Sequence, residues 1–328
     1  MKISEKDVFD KFQQDAGDTA FICFSSFEER CKSAANVLGA FPFKRKTVLY
    51  LQEFFEYSNN NTESLYNSLN SANIIALNNS APLLSTDTLI DEIDTISSEN
   101  IKNILVDVTC FNREILLLFL NLLRTRADSF ESIKLLYNEA SSIDDLLSFG
   151  AASIRSVLGY SGLISPLKKD HLIVILGYEI DRAKQIIETY EPDSVTIAVG
   201  QSDQSINESL YKKNQRMLEV FRKKFLDDGT IGCPLAVVEI PVNGSRASFQ
   251  ALKRIAEEHS DNNIIIAPLN TKLSTIGAAY LTFIKPEIQI CYAQMSGYNF
   301  GSYSSPSENF YLLDLKEELA ELLQASLT

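Results

Sequence analysis

From residue 172 to residue 283, short β-branched apolar runs alternate with segments of helical period, and this alternation most limits what the chain can fold into. The expected strands are 172–176, 195–199, 235–240 and 264–267, and the expected helices are 179–189, 206–226, 245–258 and 273–283. Such alternation predicts a parallel sheet wrapped by helices on both faces. The run Ile264-Ile265-Ile266-Ala267 lacks polar alternation, as suits a central strand buried on both sides. Pro268 has no N–H to donate and marks the strand's end. Asn270 or Thr271 is then placed to cap the next helix, with Lys272 as a flexible cation at the same mouth. A phosphate fits such a helix start. A plain helix cap beside a solvated lysine is the competing reading.

The first half carries the same signals. Residues 101–123 again run from an apolar strand through Thr109 and a basic residue, Arg113, into an apolar helix. Residues 19–38 and 171–187 both read strand, small residues, aromatic, Glu, Arg, helix, which sets Phe27, Glu28 and Arg30 against Tyr178, Glu179 and Arg182. The pattern is that of a tandem duplication, with the junctions around Thr109 and Thr271 expected at equivalent strands. Further strands are expected at 20–24, 48–51, 73–77, 104–108 and 133–137, with a leading helix at 4–15 and another at 86–96. Residues 52–71 are rich in Asn and Ser and read as a long loop, a candidate lid. A short helix at 144–149 closes on Gly150, and the domain boundary is placed near Ser165-Pro166, giving domains 1–165 and 166–328. Residues 287–293 read as an edge strand. The tail that follows, with Tyr298, Phe300 and Tyr303 among Gly and Ser, reads as a mobile loop able to stack on a planar base.

At 328 residues the chain exceeds what one core usually fills, so two domains are the natural division. A formal charge of −13 argues against an extensive nucleic-acid or anionic-membrane surface. The basic cluster Lys212, Lys213, Arg216, Arg222, Lys223 and Lys224 stands out against this background, with a solvated helix face as its ordinary explanation. Five irregularly spaced cysteines and two histidines give neither a disulfide framework nor a metal motif, which points to a reducing cytoplasm. The charged N-terminus does not read as a secretion signal, and the most apolar run, 115–123, is too short to span a bilayer. Neither a dinucleotide fingerprint nor a phosphate-binding loop of the GxxxxGK type occurs, and no cofactor is implied.

Three carboxylates are candidates for chemistry. Glu28 and Glu179 sit in first helical turns, where the helix dipole alone explains an acid. They also face the crevice at a strand's carboxyl end, where each could hold a polar ligand or act as a general base beside its Arg. Asp107 ends an apolar strand, so it must bond to the adjacent turn or meet a cation such as Arg113.

Two tandem Rossmann-like halves, each with a Thr and a basic residue after its fourth strand, resemble the CARF and SAVED group of nucleotide-sensing domains of prokaryotic antiviral systems. In that group a loop after the central strand, often Gly-Thr-Lys, contacts a cyclic nucleotide. Asn270-Thr271-Lys272 matches it in part and Thr109 with Arg113 more loosely, the glycine being absent from both. The resemblance implies an α/β fold of two duplicated domains with mostly parallel sheets. It also implies a nucleotide or other small anionic ligand held by Phe27, Glu28, Arg30, Thr109, Arg113, Tyr178, Glu179, Arg182, Asn270, Thr271 and Lys272. An enzyme acting on a nucleotide or phosphate ester is the second reading. A noncatalytic scaffold, binding a protein partner or a second copy of itself, is the third.

Overall fold

The computed structural model describes residues 1–13, 16–227 and 229–325. The chain forms two compact units, Met1–Ile143 with Tyr303–Thr328 and Asp144–Ser302. The first unit opens with β1 (Lys2–Ser4) and α1 (Glu5–Phe12), whose start is fixed by a capping box between Ser4 and Asp7. The expected helix 4–15 thus ends earlier, and its last two positions lie outside the described residues. There follow β2 (Thr19–Phe24), α2 (Ser33–Leu38), β3 (Arg45–Leu51), α3 (Phe55–Ser68), β4 (Asn73–Leu77), α4 (Pro82–Ser98), β5 (Asn103–Asp107), α5 (Arg113–Thr125) and β6 (Ser132–Ile143). The second unit holds β7 (Ser148–Ser156), β8 (Asp170–Ile175), α6 (Ile180–Tyr190), β9 (Ser194–Gly200), α7 (Glu208–Phe221), β10 (Leu235–Ile240), α8 (Ser245–Glu258), β11 (Asn263–Pro268), α9 (Lys272–Ile284) and β12 (Gln289–Tyr298). The chain then returns to the first unit as β13 (Ser304–Asp314) and α10 (Leu315–Ala325).

Among the described residues, the first unit's sheet has the order β1-β13-β6-β5-β2-β3-β4 and the second unit's β10-β9-β8-β11-β12-β7. Leaving β1 aside, the two orders coincide strand for strand: β13 matches β7, β6 matches β12, β5 matches β11, β2 matches β8, β3 matches β9 and β4 matches β10. In each, five strands are parallel and the last is antiparallel. The fold is therefore α/β, with two duplicated, mostly parallel sheets. The central strands β2 and β11 are buried at every position and β8 at every position after Asp170, the apolar runs that gave no alternation.

Several elements differ from expectation. The domain boundary does not fall near Ser165-Pro166, because each unit's antiparallel strand is supplied from beyond the other unit's last parallel strand. β7 follows β6 in sequence but pairs with β12, and β13 follows β12 but pairs with β6. Residues 144–149 lead into β7 rather than forming a helix. The expected edge strand at 287–293 is β12, lying between β11 and β7, and it extends through Ser296, Gly297 and Tyr298 of the supposed loop. Ser304, Ser305 and Pro306 likewise belong to β13. Residues 55–68 of the supposed lid are helix α3, whose buried face is Ser58, Asn61, Thr62 and Leu65. A helix that buries small polar side chains gives no hydrophobic period to read.

Candidate functional site

The carboxyl ends of β2 and β8 feed directly into the two Glu-Arg segments, and both pairs are buried ion pairs. In the first unit Arg30 Nη2 donates to Glu28 Oε2 at 2.8 Å, Nη1 to the Asn138 carbonyl at 3.1 Å, and Nε to Ser304 Oγ at 2.7 Å. Ser304 in turn donates to the same Glu28 oxygen. In the second unit Arg182 Nη1 donates to Glu179 Oε2 at 3.0 Å and Nη2 to the Ala293 carbonyl, while Ser148 donates to Glu179 Oε1. All four charged side chains are less than a tenth exposed. Burial works against the charge on Arg30, and Glu28 beside it more than offsets this, holding the guanidinium protonated.

The two constellations are the same one by register. Thr19 pairs with Asn103 and Asp170 with Asn263, which aligns β5 with β11; Leu105 then pairs with Lys134 and Ile265 with Gln289. Counting along from those partners makes Asn138 the equivalent of Ala293, and Tyr137 that of Tyr292. Ser304 pairs with Ile143 and Ser148 with Tyr298, again the same position in each ladder. Each unit thus brings together Ser, Glu, Arg and Tyr: the Arg182 guanidinium lies 5.3 Å over the Tyr292 ring, and the Tyr137 phenol faces Arg30. The helix after the next strand adds an asparagine to both. Asn61 donates to the Ser26 carbonyl at 2.8 Å and Asn214 to the Gly177 carbonyl at 2.9 Å, each acceptor following β2 or β8 at the same step. Gly177 has no substitute there, since a Cβ would stand 2.0 Å from the Leu269 carbonyl oxygen. Sequence reading found Glu28, Arg30, Glu179 and Arg182 but missed Ser148, Ser304, Tyr137, Tyr292, Asn61 and Asn214. The serines come from strands read as loop or helix, and the asparagines from a segment read as lid and a helix read for its charges.

Asp107 meets the turn rather than Arg113. Its Oδ1 accepts the Thr109 N–H at 3.0 Å and the Thr109 hydroxyl, and that hydroxyl oxygen accepts the Asn138 N–H at 2.8 Å. Burial pushes this carboxyl up to about 6, with Thr109 and the more distant charge of Arg30 pulling the other way. Thr109 is therefore fully enclosed and belongs to the scaffold. The thiols of Cys23, Cys31 and Cys110 are pushed up by burial in the same region, Cys31 to about 12, so none is a ready nucleophile.

The junctions after β5 and β11 occupy equivalent strands, but the two threonines are not counterparts. Thr271 is the N-cap of α9, accepting the Ser274 N–H at 3.0 Å and donating to the Val242 carbonyl; its counterpart is Asn112, the N-cap of α5, which accepts the Ile115 N–H at 2.7 Å. Arg113 and Lys272 do coincide, each being the first residue of its helix and each half-buried. Asn270 is buried and donates to the Leu176 carbonyl at 2.6 Å, tying this junction to the end of β8. Of the aromatics, Phe27 meets Tyr303 edge-on at 5.3 Å, and the Tyr178 ring has Lys213 5.8 Å above it, itself paired with Asp145 at 2.8 Å. Lys212 and Lys224 of the basic cluster pair with Glu208 and Asp181, so much of that face is a solvated ion-pair surface.

At the opposite, amino end of β11 there is a cavity of about 140 Å³ lined by Lys168, Ser260, Asn262, Lys285 and Glu287 among others. Among the described residues no group of three or more His, Cys, Asp or Glu could hold a metal ion, and no helix is long and apolar enough to cross a membrane. No protein-family model matches this chain, and no curated protein matches its sequence.

Proposed function

We propose that this is a cytoplasmic protein that binds a nucleotide or a related small anion without turning it over, in the manner of the sensing domains of prokaryotic antiviral defence that its halves resemble. One observation carries the reading: the duplication has kept a basic residue, Arg113 or Lys272, at the first position of the helix that leaves the central strand in each unit. There a cation stands beside first-turn N–H groups at the carboxyl edge of a parallel sheet, where α/β proteins take their ligands. Binding is favoured over turnover because Glu28 and Glu179, the candidate bases, are each held by a guanidinium and a serine hydroxyl. Asp107, the remaining candidate, is enclosed by its own turn. Within this reading Arg30, Arg182, Thr109, Asn270 and Thr271 shape the crevice. Phe27, Tyr178, Arg113 and Lys272 then meet the ligand at its mouth.

The test is thermal-shift and calorimetric titration against linear and cyclic nucleotides, with chromatography of the mixtures for products. Lys272→Ala should weaken binding of a hit by about 1.5–3 kcal/mol, the loss of a charge-assisted contact. No nucleotide raising the melting temperature, or equal affinity in wild type, Lys272→Ala and Arg113→Ala, would defeat the reading; product formation would favour the enzyme instead.

A further inference from the structure

The two histidines of the chain, distant in sequence, stack face to face in the second unit: the rings of His171 and His259 lie 3.6 Å apart at an interplanar angle of 12°. His171 is buried in β8, with Nδ1 2.8 Å from Ser194 Oγ and Nε2 3.0 Å from Thr196 Oγ1, both on β9. His259 is half-buried at the C-cap of α8, and its carbonyl accepts the Asn262 N–H at 2.9 Å, which closes the turn into β11. Ser260 and Asn262 of that turn line the cavity at the amino end of the sheet.

We propose that the His171–His259 stack is an acid-released latch that holds the α8–β11 turn over this cavity. With both rings neutral the faces attract, and with one proton the stack is a cation against an aromatic face. Two protons would set like charges 3.6 Å apart, and the pair must separate. Among the described residues no carboxylate is bonded to either ring. From β9 His171 meets only hydroxyls, and from β11 its ladder partner is Ile264. The nearby carboxylates are engaged elsewhere: Asp170 accepts the Asn263 amide at 2.7 Å, Asp193 accepts the Asp170 N–H at 2.9 Å, and Glu257 lies 3.8 Å from Lys253 and 3.9 Å from Lys285. Glu258 ends the helix beside His259, and Lys168 donates to the Ser260 carbonyl at 3.1 Å. Burial, and then the charge of His259, push His171 down to about 4, so the proton that breaks the stack is the one His171 takes.

The experiment uses the full chain labelled with ¹³C at histidine Cε1, which gives two cross-peaks, titrated from pH 8 to pH 4. Alongside it, hydrogen exchange of peptides covering residues 257–263 is compared with His259→Gln at each pH, which cancels the intrinsic pH dependence of exchange. Expected are a His171 peak that holds its neutral shift until the stack opens, and exchange that outpaces the variant by about tenfold per pH unit beyond that point. His171→Phe, which keeps the stacked ring but not its proton site, should behave as His259→Gln does. Two peaks titrating together as independent histidines, or equal exchange in wild type and His259→Gln throughout, would overturn the latch.

Discussion

Arg30 shows what a single side chain does here: three of its bonds reach the loop after β2, the strand β6 and the strand β13. Arg30→Ala would leave Glu28 buried without its cation, so unfolding in urea at pH 7 should show a loss of about 3–5 kcal/mol. Arg30→Lys should recover little of it, since an ammonium cannot span three acceptors in a plane. A loss below 1 kcal/mol in Arg30→Ala would mean the pair is a bystander. Asp107 makes the opposite kind of prediction. Its folded value, about 6, lies above the unfolded 3.8, so between those limits the folded chain keeps a proton that the unfolded chain releases. Stability from this group is therefore greatest at low pH and is lost as pH rises through the window. Asp107→Asn, which keeps an oxygen for Thr109, should gain on the wild type from pH 4 to pH 7, by up to about 3 kcal/mol. A constant difference between the two across that range would show that the carboxyl does not titrate as its burial dictates. His171 pulls the other way, its lowered folded value giving stability that is full above 6.5 and falls as pH drops towards 4. The two effects must be separated by variants rather than read from the wild-type profile.

At the scale of elements, legibility followed the physical signal each segment carries. The helices α8 and α9 and the strands β10 and β11 were visible because apolar residues recur at helical spacing or run on as short β-branched stretches, and β10 and α8 fall on their expected limits. Helix α3 was not, because its inner face is Ser58, Asn61 and Thr62, whose value lies in hydrogen bonds to Ser25 and Ser26 rather than in burial. β7 and the start of β13 were hidden by composition, their serines resembling loop, whereas the strand-like run 310–315 does fall in β13 up to Asp314; the ladders they join are set by register with partners far away in sequence. The packing of α8 on α9 was also beyond reach, since it turns on one glycine. A Cβ at Gly277 would lie 2.7 Å from the Ser245 carbonyl oxygen and 2.9 Å from the Phe249 nitrogen, both backbone atoms that cannot swing aside. Gly277→Ala should therefore destabilise by about 1–3 kcal/mol, although alanine is the better helix former. A stabilised variant in thermal unfolding would show that the helices part at little cost.

For the whole molecule, the duplication was legible and the division was not. The repeated aromatic-Glu-Arg segments and strand-helix junctions reported two copies, because those features are local. The crossing of the antiparallel strands left no local trace, since a strand's sequence fixes its faces but not which edge receives it. This makes a prediction about where the chain can be cut. A fragment of residues 1–165 has the length and composition of a domain, yet it lacks β13. β6 would then present an open edge over most of its length, and Glu28 and Arg30 would lose Ser304. It would also carry β7 without β12 to pair with. Unpaired edges of this kind recruit other chains, so the fragment should aggregate or melt without a cooperative transition. Residues 144–302, by contrast, contain all the strands of their sheet, the core around Ile173, Ile197 and Ile265, and the complete Ser148–Glu179–Arg182 clamp. That fragment should be soluble and should unfold in a single transition by circular dichroism. If residues 1–165 fold cooperatively while residues 144–302 do not, the exchange of β7 and β13 between the halves is wrong and the chain divides at Ser165-Pro166 after all.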